Sequence, residues 1–171
     1  MGEEETFAIC DPQSASSCIE AMENIERYIT AEGPFDGIMG FSQGTSIALG
    51  WLIQRRREAS GKEPQPLPFK VGVFFSNPWG VYDGAALADG RLEYLDRSAF
   101  ENLLDFPTAH IWGSADRDHE MAELVSASCV SEKRSTFVHS RGHEIPADTH
   151  TVIAMAKAIN RAMVRAGLES L

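Results

Sequence analysis

Four short apolar runs, at 35–41 (FDGIMGF), 69–76 (FKVGVFFS), 107–113 (PTAHIWG) and 136–139, alternate along the chain with segments of helical period. Runs of this length, rich in β-branched and aromatic residues, read as buried strands. Apolar residues at three- and four-residue steps read as one face of a helix. Ile19, Met22, Ile25 and Ile29 mark such a helix over 17–30, which Gly33-Pro34 ends. A second begins at Gln43 with Ile47, Ala48, Trp51 and Leu52, a third covers 120–129, and a last one over 148–166 carries Val152, Ile153, Ala156, Ile159 and Met163. Three prolines make 61–68 a loop. The segment 77–105 is irregular, with a short helix expected over 98–104. Strands alternating with helices predict a mainly parallel sheet of four to five strands covered on both faces, with chemistry at the carboxyl ends of the strands.

The 171 residues are 43% hydrophobic and 23% charged, which suits one soluble domain with a sizeable core. Residues 1–16 read as a poorly ordered acidic leader and 17–171 as the folded domain. No apolar run approaches the roughly 18 residues that span a bilayer, and the start lacks the basic and apolar regions of a signal peptide. A cytoplasmic, or also nuclear, location is expected. The formal charge of −10 disfavours a nucleic-acid partner, because such binding rests on neutralising phosphates. The only basic cluster, Arg55-Arg56-Arg57, reads as a cationic last helical turn. Cys10, Cys18 and Cys129 have no metal-ligand spacing and read as free thiols. Neither a metal nor a cofactor is expected.

Gly40-Phe41-Ser42-Gln43-Gly44 is a G-x-S-x-G pentapeptide between an apolar strand and an amphipathic helix. In that setting the turn is so tight that side chains at positions 40 and 44 are expected to collide with backbone, and the serine is lifted above the sheet. A serine hydroxyl needs a base to take its proton. His143, in Gly142-His143-Glu144-Ile145-Pro146 after the last strand, is the best base. His110 lies in a strand, His119 after an acidic turn, His139 at a strand end and His150 in the last helix. The base needs a carboxylate to hold its tautomer, and Asp116, just past the third strand, is preferred over Asp118. The order Ser, Asp, His is that of the α/β-hydrolase fold, three layers around a mainly parallel sheet. The amide of Gln43 is the expected oxyanion donor, and Trp79 and Tyr82 are candidate walls of an acyl pocket.

These stretches resemble the fungal-type serine hydrolases of the FSH group. The resemblance lies in Gly33-Pro34-Phe35-Asp36-Gly37-Ile38-Met39-Gly40-Phe41-Ser42-Gln43-Gly44, in His110-Ile111-Trp112-Gly113-Ser114-Ala115-Asp116, and in Gly142-His143-Glu144-Ile145-Pro146. It covers about Ser17 onward and implies an esterase or thioesterase using Ser42, Asp116 and His143, with family members in polyketide metabolism. After its acid the family continues with small apolar residues and a proline, where this chain has Arg117, Asp118 and His119. The family also begins with further strands and a Leu-His-Gly loop that this sequence lacks. The expected fold is therefore an N-terminally truncated α/β-hydrolase, with one oxyanion donor lost and the nucleophile strand at a sheet edge open to a partner or to self-association. The expected substrate is a small-molecule acyl ester or thioester, cleaved through an acyl-enzyme. The competing expectation is an impaired hydrolase remnant acting as an interaction protein.

Overall fold

A computed structural model describes residues 8–58 and 66–169. Helix α1, Ala15–Glu32, opens on Ser14, whose hydroxyl accepts the Ser17 amide at 3.2 Å and satisfies one of the donors that a helix start leaves unpaired. Strand β1, Gly37–Phe41, leads through Ser42 into α2, Gln43–Glu58. Strand β2, Val71–Phe75, is followed by a short helix α3, Gly84–Ala88, and a 3₁₀ turn at Arg97–Ala99. Then come β3, Thr108–Gly113, α4, His119–Ser126, β4, Arg134–His139, and α5, Thr149–Arg165.

The four strands are all parallel and lie in the order β1-β2-β3-β4, so the chain advances across the sheet one neighbour at a time. Each residue pair across a strand serves two faces. Phe74 joins a core with Leu49, Leu52 and Ile53 of α2, Cys18 and Met22 of α1, and Val125 of α4. Val71, Val73 and Phe75 face the other way, onto Met155 and Ala162 of α5. This two-sided burial explains why β2 and β3 read as unbroken apolar runs. It also explains α2, where every residue from Thr45 to Ile53 is buried between the sheet and α1 and α3 instead of showing the single apolar face expected.

Several expectations shift. The irregular segment 77–105 holds α3, capped by Asp83, and only a 3₁₀ turn stands where a helix over 98–104 was expected. The leader expected over 1–16 has two parts. Residues 1–7 lie outside the described residues, whereas Ala15 and Ser16 belong to α1 and Cys10 is 5% exposed in the core. Gln43 ties this stretch down, its side-chain oxygen accepting the amides of Ile9 (2.9 Å) and Cys10 (3.3 Å) while its nitrogen donates to the Cys10 carbonyl (2.7 Å). The three cysteines are free and buried, with the sulfurs of Cys10 and Cys18 3.5 Å apart. Burial pushes the Cys10 thiol up to about 12, which leaves no reactive thiolate there. Arg55 of the basic cluster pairs with Glu26 at 2.9 Å and lies over the Trp51 ring. Among the described residues no helix is long and apolar enough to cross a membrane.

His110, 4% exposed inside β3, packs its ring 5.2 Å from Phe74 and leaves Nε2 without a partner among the described residues. Burial, reinforced by Arg134, lowers its pKa to about 3. The fold thus holds the neutral ring, while the unfolded chain takes up a proton as pH falls below about 6.5. Stability is expected to fall by up to about 1.4 kcal/mol per pH unit between about 6.5 and 3, or roughly 2 kcal/mol from pH 7 to pH 5. Denaturant midpoints of the protein and of His110→Phe at the two pH values check this. The variant should lose the part of the pH dependence that His110 contributes, keeping the part owed to His139, whose pKa burial also lowers.

Candidate active site

The carboxyl ends of β1, β3 and β4 bring three side chains to one place. Ser42 directly follows β1 with φ of 53°, a left-handed conformation that costs a non-glycine residue roughly 1–2 kcal/mol. Its backbone is held by its own amide, which donates to the Phe75 carbonyl at 3.0 Å, and by its carbonyl, which accepts the Thr45 amide at 3.0 Å. Gly40 makes the turn feasible, since a Cβ there would stand 2.8 Å from the Thr45 backbone. Gly44 behaves differently from the sequence-based expectation. A Cβ added to it meets nothing within 4 Å, because it points away from the elbow into open space.

The Ser42 hydroxyl lies 2.8 Å from His143 Nε2, and His143 Nδ1 lies 2.7 Å from Asp116 Oδ2. A carboxylate only accepts, so Nδ1 carries the proton and Nε2 is left to accept from the serine hydroxyl. The Asp116 side chain is 4% exposed and that of His143 37%, a buried carboxylate beside a solvent-facing imidazole. Asp118, the rival acid, lends only its backbone. Its amide donates to Asp116 Oδ1 at 3.0 Å, while its carboxylate lies 3.5 Å from Arg117. Both oxygens of Asp116 are therefore occupied.

Two further residues shape the site without having been singled out in the sequence. Gly113 ends β3 directly beneath the histidine loop, where a Cβ would sit 2.0 Å from the Arg141 carbonyl oxygen and 2.4 Å from that of Gly142. Phe41, 40% exposed, packs its ring 5.2 Å from the His143 ring. Strand-terminal glycine was the available signal for Gly113, but only the loop packed over it reveals the reason. On the other side of the loop, Arg141 reaches Glu144 at 3.4 Å and Asp148 at 3.5 Å, an exposed pairing worth little by itself. His139 is buried, accepts the Arg141 amide at 3.3 Å, and has its pKa lowered by burial.

Gln43 is the first residue of α2, so its amide faces outward from the helix start beside Ser42. Of the two aromatic residues considered as pocket walls, Trp79 is half-buried, whereas Tyr82 is 1% exposed and packed against Tyr94 in the core. Tyr82 thus has no face to offer a substrate, because the chain from 81 to 95 folds back over it. Among the described residues no cluster of His, Cys, Asp and Glu has the arrangement of a metal site.

A sequence model of the family described as serine hydrolase (FSH1) matches residues 4–155. The chain belongs to the FSH1 serine hydrolase family. The match takes in most of the stretch that reads as a leader, in line with the packing of Cys10. Esterase FPY3 of Fusarium mangiferae is 34% identical over 169 residues, covering 97% of this chain and 74% of that protein. Two solved structures share the fold. Arabidopsis thaliana SOBER1 superposes with a TM-score of 0.54 at 19% identity, over 91% of this chain and 74% of SOBER1. Zea mays acyl-protein thioesterase 2 gives 0.55 at 14% identity, over 95% of this chain and 69% of that one. The parallel sheet expected from the strand–helix alternation, and the α/β-hydrolase fold expected from the order of serine, acid and histidine, are the architecture of this FSH1 family member.

Proposed function

We propose that this protein is an esterase that cleaves carboxylic esters or thioesters through an acyl-enzyme on Ser42. The observation that carries the reading is the continuous hydrogen-bonded chain from Asp116 through His143 to Ser42 on a strained strand-to-helix turn. The Ser42 oxygen attacks the acyl carbon while its proton passes to His143 Nε2, and Asp116 stabilises the imidazolium that results. The carbonyl oxygen, now negative, lies toward the Gln43 amide. His143 then returns the proton to the departing oxygen or sulfur, which leaves Ser42 acylated. A water molecule repeats the sequence, giving its proton to His143 and releasing the acid and free Ser42. Membership of a serine hydrolase family and 34% identity to a protein named an esterase support the same chemistry.

A fluorophosphonate probe tests the assignment directly, since it phosphonylates only a serine whose proton can be taken. Labelling of the folded protein is expected to vanish in Ser42→Ala, together with turnover of p-nitrophenyl acetate. Folded protein that resists the probe would instead favour a hydrolase remnant serving as an interaction protein.

A further inference from the structure

We propose that the fold binds a single water molecule beneath the turn at Ser42, held between His110 Nε2 and Ser76 Oγ. Two buried polar atoms point to it. Ser76 is 2% exposed and His110 4%, and among the described residues neither Ser76 Oγ nor His110 Nε2 has a hydrogen-bond partner. A polar atom that is taken out of water and left unpaired is costly, and native proteins carry few of them. Both side chains line one small cavity of about 10 Å³, which lies between β2, β3, α2 and α4. A water molecule needs at least about 10 Å³ and two to four polar partners. Nothing larger fits.

The lining selects water over an ion. No Asp, Glu, Lys or Arg borders the cavity, and Leu49, Phe74, Ile111 and Val125 make much of its wall apolar. An ion there would lose its hydration without meeting an opposite charge, whereas a neutral donor and acceptor meets two unpaired atoms. The other polar neighbours are already committed. Asn77 donates to the Trp79 carbonyl at 2.8 Å and accepts from Ser46. Thr45 Oγ1 donates to the Phe75 carbonyl at 2.9 Å, so it can only accept a third bond from the water. Three partners are typical of an internal water. Ser76 has φ of 43°, in the left-handed region, and follows Phe75, whose carbonyl also accepts the Ser42 amide at 3.0 Å. The water thus links β3 to the strained end of β2 and to the first turn of α2, the two segments that hold the Ser42 backbone.

A high-resolution crystal structure of the unaltered protein is expected to show one water within about 3.2 Å of both His110 Nε2 and Ser76 Oγ. In solution, NOEs from water to the methyl groups of Leu49 and Val125 should carry the sign of a molecule that tumbles with the protein. His110→Phe and Ser76→Ala each remove one partner, and each is expected to abolish both signals. At about pH 8, where His110 is neutral in the folded and the unfolded chain, the two substitutions should be coupled. The unfolding constant of the double variant is expected to lie at least about tenfold below the value that the two single effects multiply to. A direct hydrogen bond between Ser76 and His110, or a cavity with neither density nor NOEs, would overturn the site. So would single effects that simply multiply. Variants that fail to fold leave the decision to the crystal and NOE measurements on the unaltered protein.

Discussion

Asp116→Asn is expected to lower kcat about ten-thousand-fold while leaving the melting temperature within a few degrees of the unaltered protein. The reason lies in which oxygen is already engaged. The Asp118 amide donates to Asp116 Oδ1, and an amide N–H must keep an acceptor, so the carbonyl oxygen of an asparagine is held at that position. Its NH₂ then replaces Oδ2 and points at His143 Nδ1. A donor facing Nδ1 forces the imidazole to carry its proton on Nε2, the nitrogen that must accept from Ser42. The side chains remain in contact, but the base is blocked. Steady-state turnover of a p-nitrophenyl ester, with thermal denaturation alongside, checks this. Activity within tenfold of the unaltered protein would mean that Asp116 does not set the tautomer.

Gly113→Ala is expected to cost about a hundredfold in kcat/KM, although the residue touches neither the nucleophile nor the base. Its added methyl would meet the Arg141 carbonyl oxygen at 2.0 Å and that of Gly142 at 2.4 Å, both backbone atoms that no rotamer change can move. The loop over 140–144 must lift, breaking the 3.1 Å bond from the Ala115 amide to the Arg141 carbonyl and carrying His143 away from Ser42. A shift of about 1 Å is enough to spoil proton transfer. The proton on His143 Nδ1 gives a low-field resonance while it is bonded to Asp116. Its loss or displacement in the variant would locate the damage in the histidine loop. Unchanged turnover would show that the loop yields without moving the imidazole.

The two substitutions illustrate different levels of legibility. Asp116 stands out in the sequence as an acid just beyond a strand, in chain order between a serine on a glycine-flanked turn and a histidine after a glycine. Gly113 does not, because its importance depends on a loop almost thirty residues later that packs across it. The same limit applies to Asp118. Two carboxylates two residues apart look interchangeable along the chain, yet only one side chain points to His143, and the other residue contributes its amide. Gly44 was misread for a related reason. Both glycines flank the serine, but whether a Cβ has room depends on what occupies the neighbouring volume, and at Gly44 that volume is open.

The stretch ahead of α1 shows how composition can mislead. An acidic start with scattered serines reads as a leader, yet residues 9 and 10 are held by three hydrogen bonds to Gln43, thirty-three and thirty-four residues away in sequence. No local pattern encodes a partner at that distance. Tyr82 is the converse case, an aromatic residue in an irregular segment that reads as a pocket wall and lies in the core with 1% of its surface exposed.

Local periodicity sufficed to determine the alternation of strands and helices, the parallel α/β architecture, the turn at Ser42 and the small set of residues able to act there. Each of these depends on neighbours within a few positions, where side-chain spacing and backbone sterics leave few alternatives. Only the tertiary structure decided which carboxylate meets the imidazole, why position 113 must be glycine, and that position 44 has room for a side chain. Those are matters of volume and of distances between segments far apart in the chain, which close packing settles only once all the layers are in place.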